Sequence, residues 1–170
     1  MSEVHTYIET LKKIGINGIQ IIQDGQEIGC FMKKEYKRQN QYSITKSFTS
    51  AAVGFAIEEG LFELNSKVCQ LFDEAIKIED PYWNMMEIRH LLTMTMGLET
   101  PILMGDSRKT LKESDWVSYV FRQKVTEKPG TVFQYNNAGP YLLGVLIQRK
   151  TKKNLIEYLT PRLFDKLEIK

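Results

Sequence analysis

Apolar positions recur at helical spacing near the start of the chain. Val4, Ile8 and Leu11 fall on one helical face, which predicts an amphipathic helix from about residue 4 to residue 13. Gly15 follows as a stop signal, because glycine takes the left-handed backbone conformation that ends many helices. We therefore expect the chain to open with a short helix.

The next two apolar runs predict a β-hairpin. Residues 19–23 and 26–32 flank Asp24-Gly25, and Asp-Gly between apolar runs is a strong signal for a two-residue hairpin turn. An isolated two-stranded hairpin is marginally stable in water, so these strands are expected to belong to a larger antiparallel sheet. The polar run 33–41 predicts a loop that leads to Ser43.

From Ser43 onward the apolar spacing is mostly helical. The first helix of this part is predicted to end at Gly60, Ser114 is placed to cap a later helix, and Pro161 is expected to end the last one. The predicted helices are 43–59, with a core stripe of Ile44, Phe48, Ala51, Ala52 and Phe55, followed by 68–72, 87–94, 115–123, 137–149 and 155–159.

These elements predict an α+β fold. We expect one partial domain over residues 1–170, in which 1–42 contribute a helix and the sheet hairpin and 43–170 form a mostly helical subdomain. Further strands of the sheet are not found in the sequence.

The composition is that of an ordinary globular chain, with 42% hydrophobic residues and a net charge of +2. Its Lys/Arg clusters are short and lack interleaved aromatic residues, so no nucleic-acid partner is expected. Cys30 and Cys69 are too few for a disulfide framework, and His5 and His90 lie far apart in sequence. We therefore expect no metal and no cofactor.

The N-terminus has neither the basic nor the apolar segment of an export signal, and no apolar run has the length of a membrane span. The sequence thus predicts a cytoplasmic protein with no membrane partner.

Ser43 and Lys46 form a Ser-x-x-Lys motif at the start of a predicted helix. Residues three apart on a helix are neighbours on one face, so a hydroxyl nucleophile and a base candidate would lie side by side. The partial positive charge of a helix N-terminus would stabilise an alkoxide on Ser43. The motif is also compatible with an ordinary solvated helix start. Other parts of the sequence are needed to distinguish this from a catalytic motif.

The segment with this motif and four later segments of the chain occur in the same order as in one known protein family. The chain resembles the serine beta-lactamase and penicillin-binding superfamily, and is most similar to the branch of class C beta-lactamases, D-alanyl-D-alanine peptidases and related esterases. The resemblance starts at about residue 17. It is carried by YSITKSFTSAAVGFAIEEG, LFELNSKV, EIRHLLTMTMGLE, KPGTVFQYNNAGPYLLGVLI and EYLTPRLFDKL.

The resemblance implies a role for four residues. Ser43 would be the acylated nucleophile, and Lys46 its proton acceptor or electrostatic helper. Tyr135 of a Tyr-x-Asn motif would be the general base or acid, and Asn137 would hold the substrate's amide. A phenol can act as a general base or acid near neutral pH only when a cation lies close to it, and Lys46 would be that cation. Alternatively, Tyr135 simply packs at the start of the 137–149 helix.

Two other conspicuous residues and one tripeptide are assigned no chemistry. His90 and Trp116 are expected to be packing residues of the helical part. The family's third motif, Lys-Thr-Gly or His-x-Gly on a sheet strand, is not found, because Lys150-Thr151-Lys152 lacks the glycine and lies at a helix end.

The absence of the third motif from the sequence limits the activity that we expect. Its strand supplies one of two oxyanion-hole donors in the family, and losing one such donor costs about a hundred- to a thousandfold in rate. The expected function is a serine hydrolase acting on a beta-lactam, a D-Ala-D-Ala peptide or a small ester or amide. The alternative is a catalytically crippled fragment that acts as a binding or assembly module. Self-association through the apolar hairpin is also expected.

Overall fold

The fold is described by a computed structural model that covers residues 3–33, 39–75 and 78–169. It divides into two compact units, residues 1–41 and 42–170. The elements of the first unit are α1 (Glu3–Lys13), β1 (Gly18–Gln23) and β2 (Gln26–Met32). Those of the second are α2 (Thr45–Glu58), α3 (Pro81–Met85), α4 (Ile88–Leu92), α5 (Gly105–Thr110), α6 (Trp116–Phe121), α7 (Ala138–Thr151) and α8 (Leu155–Leu159).

The first unit is the predicted helix and hairpin. Strands β1 and β2 pair antiparallel, and Asp24 and Gly25 both have positive φ, as a tight two-residue hairpin turn requires. Helix α1 lies against the hairpin, where a Cβ at Gly29 would come within 2.8 Å of the Val4 and Ile8 side chains. The predicted helix and both strands are confirmed to within a residue or two. Part of the predicted loop, residues 34–38, lies outside the described residues.

Helix α7 is at the centre of the second unit and packs against α2, α4 and α8. Gly139 permits the closest approach, because a Cβ there would lie 2.6 Å from the Leu91 carbonyl oxygen of α4. The fully buried side chains around this contact include Ala52, Val53, Leu91, Leu142, Leu143, Leu146 and Ile147. Because α2 and α7 pack together, the segments that precede them are brought to the same place.

Helix α2 differs from the prediction at its start. Residues Tyr42–Ile44 form a 3₁₀ turn and the α-helix begins at Thr45. Ile44 precedes the α-helix and is 58% exposed, so its assignment to the core stripe is wrong. The buried residues of α2 are instead Thr49, Ala52, Val53 and Ala56.

Other corrections concern helix ends. Asp115 rather than Ser114 caps α6, because its carboxylate accepts from the backbone N–H groups of Val117 and Ser118 at 3.0 and 3.1 Å. Pro161 does not end the helical chain. It is the second residue of a π-helical segment, Thr160–Phe164, that directly follows α8, so the helical path continues past it.

Helices α3 and α5 were not predicted. Within the described residues, no helix is both long and apolar enough to cross a membrane.

Candidate active site

Ser43 and Lys46 are neighbours at the start of the first helix of the second unit. Ser43 lies in the 3₁₀ turn that leads into α2, and Lys46 lies in the first turn of α2 itself. The Lys46 Nζ donates a hydrogen bond to Ser43 Oγ at 3.2 Å. The three-residue spacing therefore brings the two side chains together as expected.

Tyr135 completes this group from a distant part of the sequence. Its hydroxyl lies 2.6 Å from Ser43 Oγ, and either oxygen can donate the proton. Lys46 Nζ lies 5.1 Å from the centroid of the Tyr135 ring, a cation–π distance. Tyr135 lies just before α7, so the packing of α2 against α7 brings Tyr135 close to Ser43 and Lys46.

The environment of Tyr135 favours its ionised form. Hydrogen bonding to Lys46, and secondly to Ser43, lowers the pKa of the Tyr135 phenol below its ordinary value of 10, against an opposing effect of burial. The phenol is 38% exposed, so a reacting molecule can approach it from solvent. The arrangement is a serine hydroxyl, a phenol with a lowered pKa and a lysine amine within hydrogen-bonding reach.

The backbone around Tyr135 is held by hydrogen bonds on both sides. The Gln134 N–H donates to the Met94 carbonyl at 2.9 Å. The buried Asn136 side chain donates through Nδ2 to the Gln134 carbonyl at 3.0 Å and accepts through Oδ1 from the Gly139 N–H at 3.1 Å. These bonds fix the chain immediately before and after Tyr135 and cap the start of α7.

Asn137 is oriented by the loop that precedes α5. Its Nδ2 donates to the Leu103 carbonyl at 2.7 Å, and its backbone N–H donates to the Ile102 carbonyl at 3.3 Å. With the amide nitrogen engaged in this way, the side-chain carbonyl is the end that could accept from a substrate N–H.

Three non-glycine residues at this site have left-handed backbones. Tyr42, Met94 and Leu103 have φ values of 46, 56 and 56°. Sequence reasoning missed all three, because positive φ at non-glycine residues leaves no compositional signal. It also missed Asn136, which could have been noticed because asparagine is favoured at helix starts.

The other residues considered from the sequence have local partners. His90 Nδ1 accepts from the Glu87 N–H at 3.1 Å, and burial lowers the pKa of His90. Trp116 Nε1 donates to the Glu113 carbonyl at 3.0 Å, and its ring packs on Tyr141. Thr151 Oγ1 donates to the Ile147 carbonyl within α7. Among the described residues, no cluster of three His, Cys, Asp or Glu could hold a metal ion.

The described fold is that of the beta-lactamase/transpeptidase-like proteins. The structure of an octameric penicillin-binding protein homologue from Pyrococcus abyssi superposes with a TM-score of 0.71 at 24% identity, covering 98% of this chain and 42% of that one. A putative 6-aminohexanoate-dimer hydrolase from Bacillus anthracis gives 0.68 at 19% identity, covering 92% and 45%. The predicted α+β, beta-lactamase-like fold class is confirmed.

The chain belongs to the Beta-lactamase family, whose model matches residues 35–170. Protein flp of Staphylococcus aureus strain MW2 is 28% identical over an alignment of 195 positions, which covers 99% of this chain and 37% of that protein. A beta-lactamase of Yersinia enterocolitica is 28% identical, covering 75% of this chain and 31% of that one. The chain thus spans about a third of the length of these relatives. The family resemblance predicted from the sequence is confirmed, and the catalytic roles of the four residues stay predictions.

Proposed function

We propose that this chain carries the nucleophile of a serine hydrolase that forms an acyl-enzyme on Ser43. The observation that carries the proposal is the 2.6 Å contact between Ser43 Oγ and the Tyr135 hydroxyl, with Lys46 Nζ 3.2 Å from the same Oγ. Membership of the Beta-lactamase family supports a hydrolase of the serine type in general.

The proposed reaction has two stages. Tyr135, as phenolate, takes the proton from the Ser43 hydroxyl while Oγ attacks the carbonyl carbon of an ester or amide. The protonated Tyr135 then gives that proton to the leaving alcohol or amine as its bond to the carbonyl carbon breaks. In the second stage, water attacks the Ser43 ester with Tyr135 again as base, which releases the acid and restores the Ser43 hydroxyl.

Lys46 and Asn137 assist without forming bonds to the acyl group. The Lys46 cation stabilises the phenolate and the negative charge that develops on Oγ. The carbonyl of the Asn137 side chain accepts from the N–H of an amide substrate, while its nitrogen stays on the Leu103 carbonyl. The proposed substrates are small: a beta-lactam, a D-Ala-D-Ala peptide, or a small ester or amide.

Pre-steady-state hydrolysis of p-nitrophenyl acetate and of a chromogenic beta-lactam tests this function. We expect a burst of product with at most one equivalent per chain, absent from Ser43→Ala and slowed about a hundredfold or more in Tyr135→Phe. The Ser47→Ala variant, which changes another serine of α2, should behave as wild type.

The competing function is a binding or assembly module without chemistry. It predicts no burst in any variant, or equal background release from the wild type and from Ser43→Ala. Either result would contradict the proposed hydrolase.

A further inference from the structure

Tyr42, immediately before Ser43, has a backbone conformation that is unfavourable for its side chain. Its φ is 46°, in the left-handed region, where a bulky aromatic residue is an outlier and glycine or asparagine fits at little cost. The side chain is 79% exposed. Strained residues of this kind persist mainly at functional sites, so the strain marks residue 42 as part of the site around Ser43.

Phe133 is a second exposed aromatic residue and lies two positions before Tyr135, the hydrogen-bond partner of Ser43. Exposure alternates along Phe133, Gln134 and Tyr135: the first and last are exposed, whereas Gln134 is half-buried with its N–H bonded to Met94. Phe133 is 68% exposed. The Tyr135 hydroxyl lies 2.6 Å from Ser43 Oγ. Tyr42 and Phe133 therefore belong to the two chain segments that meet at this pair.

We propose that Tyr42 and Phe133 form an aromatic rim that binds an apolar or aryl group of the substrate, with Tyr42 as a specificity-determining residue. The inference rests on the proposed function, because the group so bound would belong to the molecule that acylates Ser43. Aromatic side chains bring a large apolar area and stack on other rings, so a ring-bearing ester or amide gains most from this rim. A substrate with only small polar groups gains little.

The test measures binding without reaction. In a Ser43→Ala background, acetophenone serves as a stable analogue of an aryl ester, and acetone as the analogue without a ring. We expect NMR titration to detect acetophenone binding near residue 42 and no comparable acetone binding. Tyr42→Asn, which keeps the left-handed backbone but loses the ring, should weaken acetophenone binding at least about fivefold. Tyr42→Phe should leave it within about twofold.

Lys152→Asn provides the matched control. Lys152 also has a left-handed backbone, with φ of 58°, and ends α7. At 1.5 Å per residue, it lies about 20 Å along α7 from Asn137. Both asparagine variants replace a side chain on a left-handed backbone, but only Tyr42→Asn should lose acetophenone binding.

Two results would overturn the inference: equal acetophenone affinity in Tyr42→Asn and its parent, or no acetophenone binding to the Ser43→Ala chain. If acetophenone binding depends on the Tyr42 ring but Ser43 of the wild-type chain is never acylated, the rim is supported and the hydrolase is rejected. The two proposals therefore fail separately.

Discussion

At the scale of single residues, the hydrogen bond between Ser43 and Tyr135 depends on which oxygen carries the proton. A free tyrosine keeps its proton up to a pH of about 10. Here the hydrogen bonds from Lys46 and Ser43 lower the pKa of Tyr135, so the phenolate exists at lower pH than in a free tyrosine. Because the proposed base is the Tyr135 phenolate, modification of Ser43 should become faster as pH rises.

We predict that the rate of Ser43 modification rises with pH and levels off below pH of about 10, the ordinary tyrosine value. Lys46→Met removes the cation and should move the midpoint to higher pH and lower the plateau. Lys150→Met, at an exposed lysine near the end of α7, should leave the profile unchanged. Stopped-flow rates with a fluorophosphonate from pH 6 to 10 give these curves. A pH-independent rate, or equal midpoints in wild type and Lys46→Met, would reject Tyr135 as the base.

The sequence alone predicted part of this residue-scale arrangement. Helical spacing makes Ser43 and Lys46 neighbours in any helix that begins there. Tyr135 is 92 positions away from Ser43, and no local pattern connects them, so only the family resemblance indicated it. Left-handed Met94 and Leu103, whose carbonyls hold Gln134 and Asn137, follow from tertiary packing and could not be predicted.

At the scale of elements, the site depends on how closely α7 approaches α4. Gly139 lies in the first turn of α7, two residues after Asn137, and faces the Leu91 backbone. A backbone neighbour cannot rotate away as a flexible side chain can. Any side chain at residue 139 must therefore push α7 away from α4, close to where Asn136 and Asn137 are held.

We predict that Gly139→Ala lowers the free energy of unfolding by about 2 kcal/mol or more. Gly54→Ala in α2 is the matched control, because a Cβ at Gly54 meets nothing within 4 Å and alanine is the better helix former. It should raise the free energy of unfolding by about 0.5–1 kcal/mol. Urea unfolding followed by circular dichroism measures both. Tolerance of alanine at residue 139 would mean that α4 and α7 are farther apart than described.

Element existence was easier to predict than element ends. The apolar periodicity of α1, α2 and α7 and the Asp24-Gly25 turn signal were strong enough to place those elements. The cap of α6 was wrong by one residue, because Ser114 and Asp115 are both good caps and only the path of the chain chooses between them. Helix α3 is only five residues long and α5 has no apolar residue, so neither gives a periodic signal.

At the scale of the whole molecule, the hairpin of the first unit exposes some of its apolar side chains, while α1 packs against the hairpin at Gly29. Ile22, Ile28 and Met32 are 60%, 40% and 56% exposed, whereas Ile19, Ile21 and Phe31 are half-buried. Among the described residues, the sheet contains only β1 and β2, so each strand has one edge without a neighbouring strand. Such edges and apolar faces recruit further strands.

We propose that the 170-residue chain self-associates through this hairpin and predict a concentration-dependent mass above that of the monomer. Ile22→Lys should shift the population toward monomer, because a charge on the strand opposes pairing. Ile14→Lys makes the same change at a 74% exposed residue just after α1 and should have no effect. Size-exclusion chromatography with light scattering over a dilution series measures this. A stable monomer at micromolar concentration would contradict self-association.

The most direct test of the central claim is to identify the residue that a serine-directed reagent modifies. After incubation with a fluorophosphonate, intact-mass spectrometry and peptide mapping should find one adduct, on Ser43. The adduct should be absent from Ser43→Ala and retained in Ser47→Ala. A chain that stays unmodified, or that carries the adduct on another serine, would contradict the account.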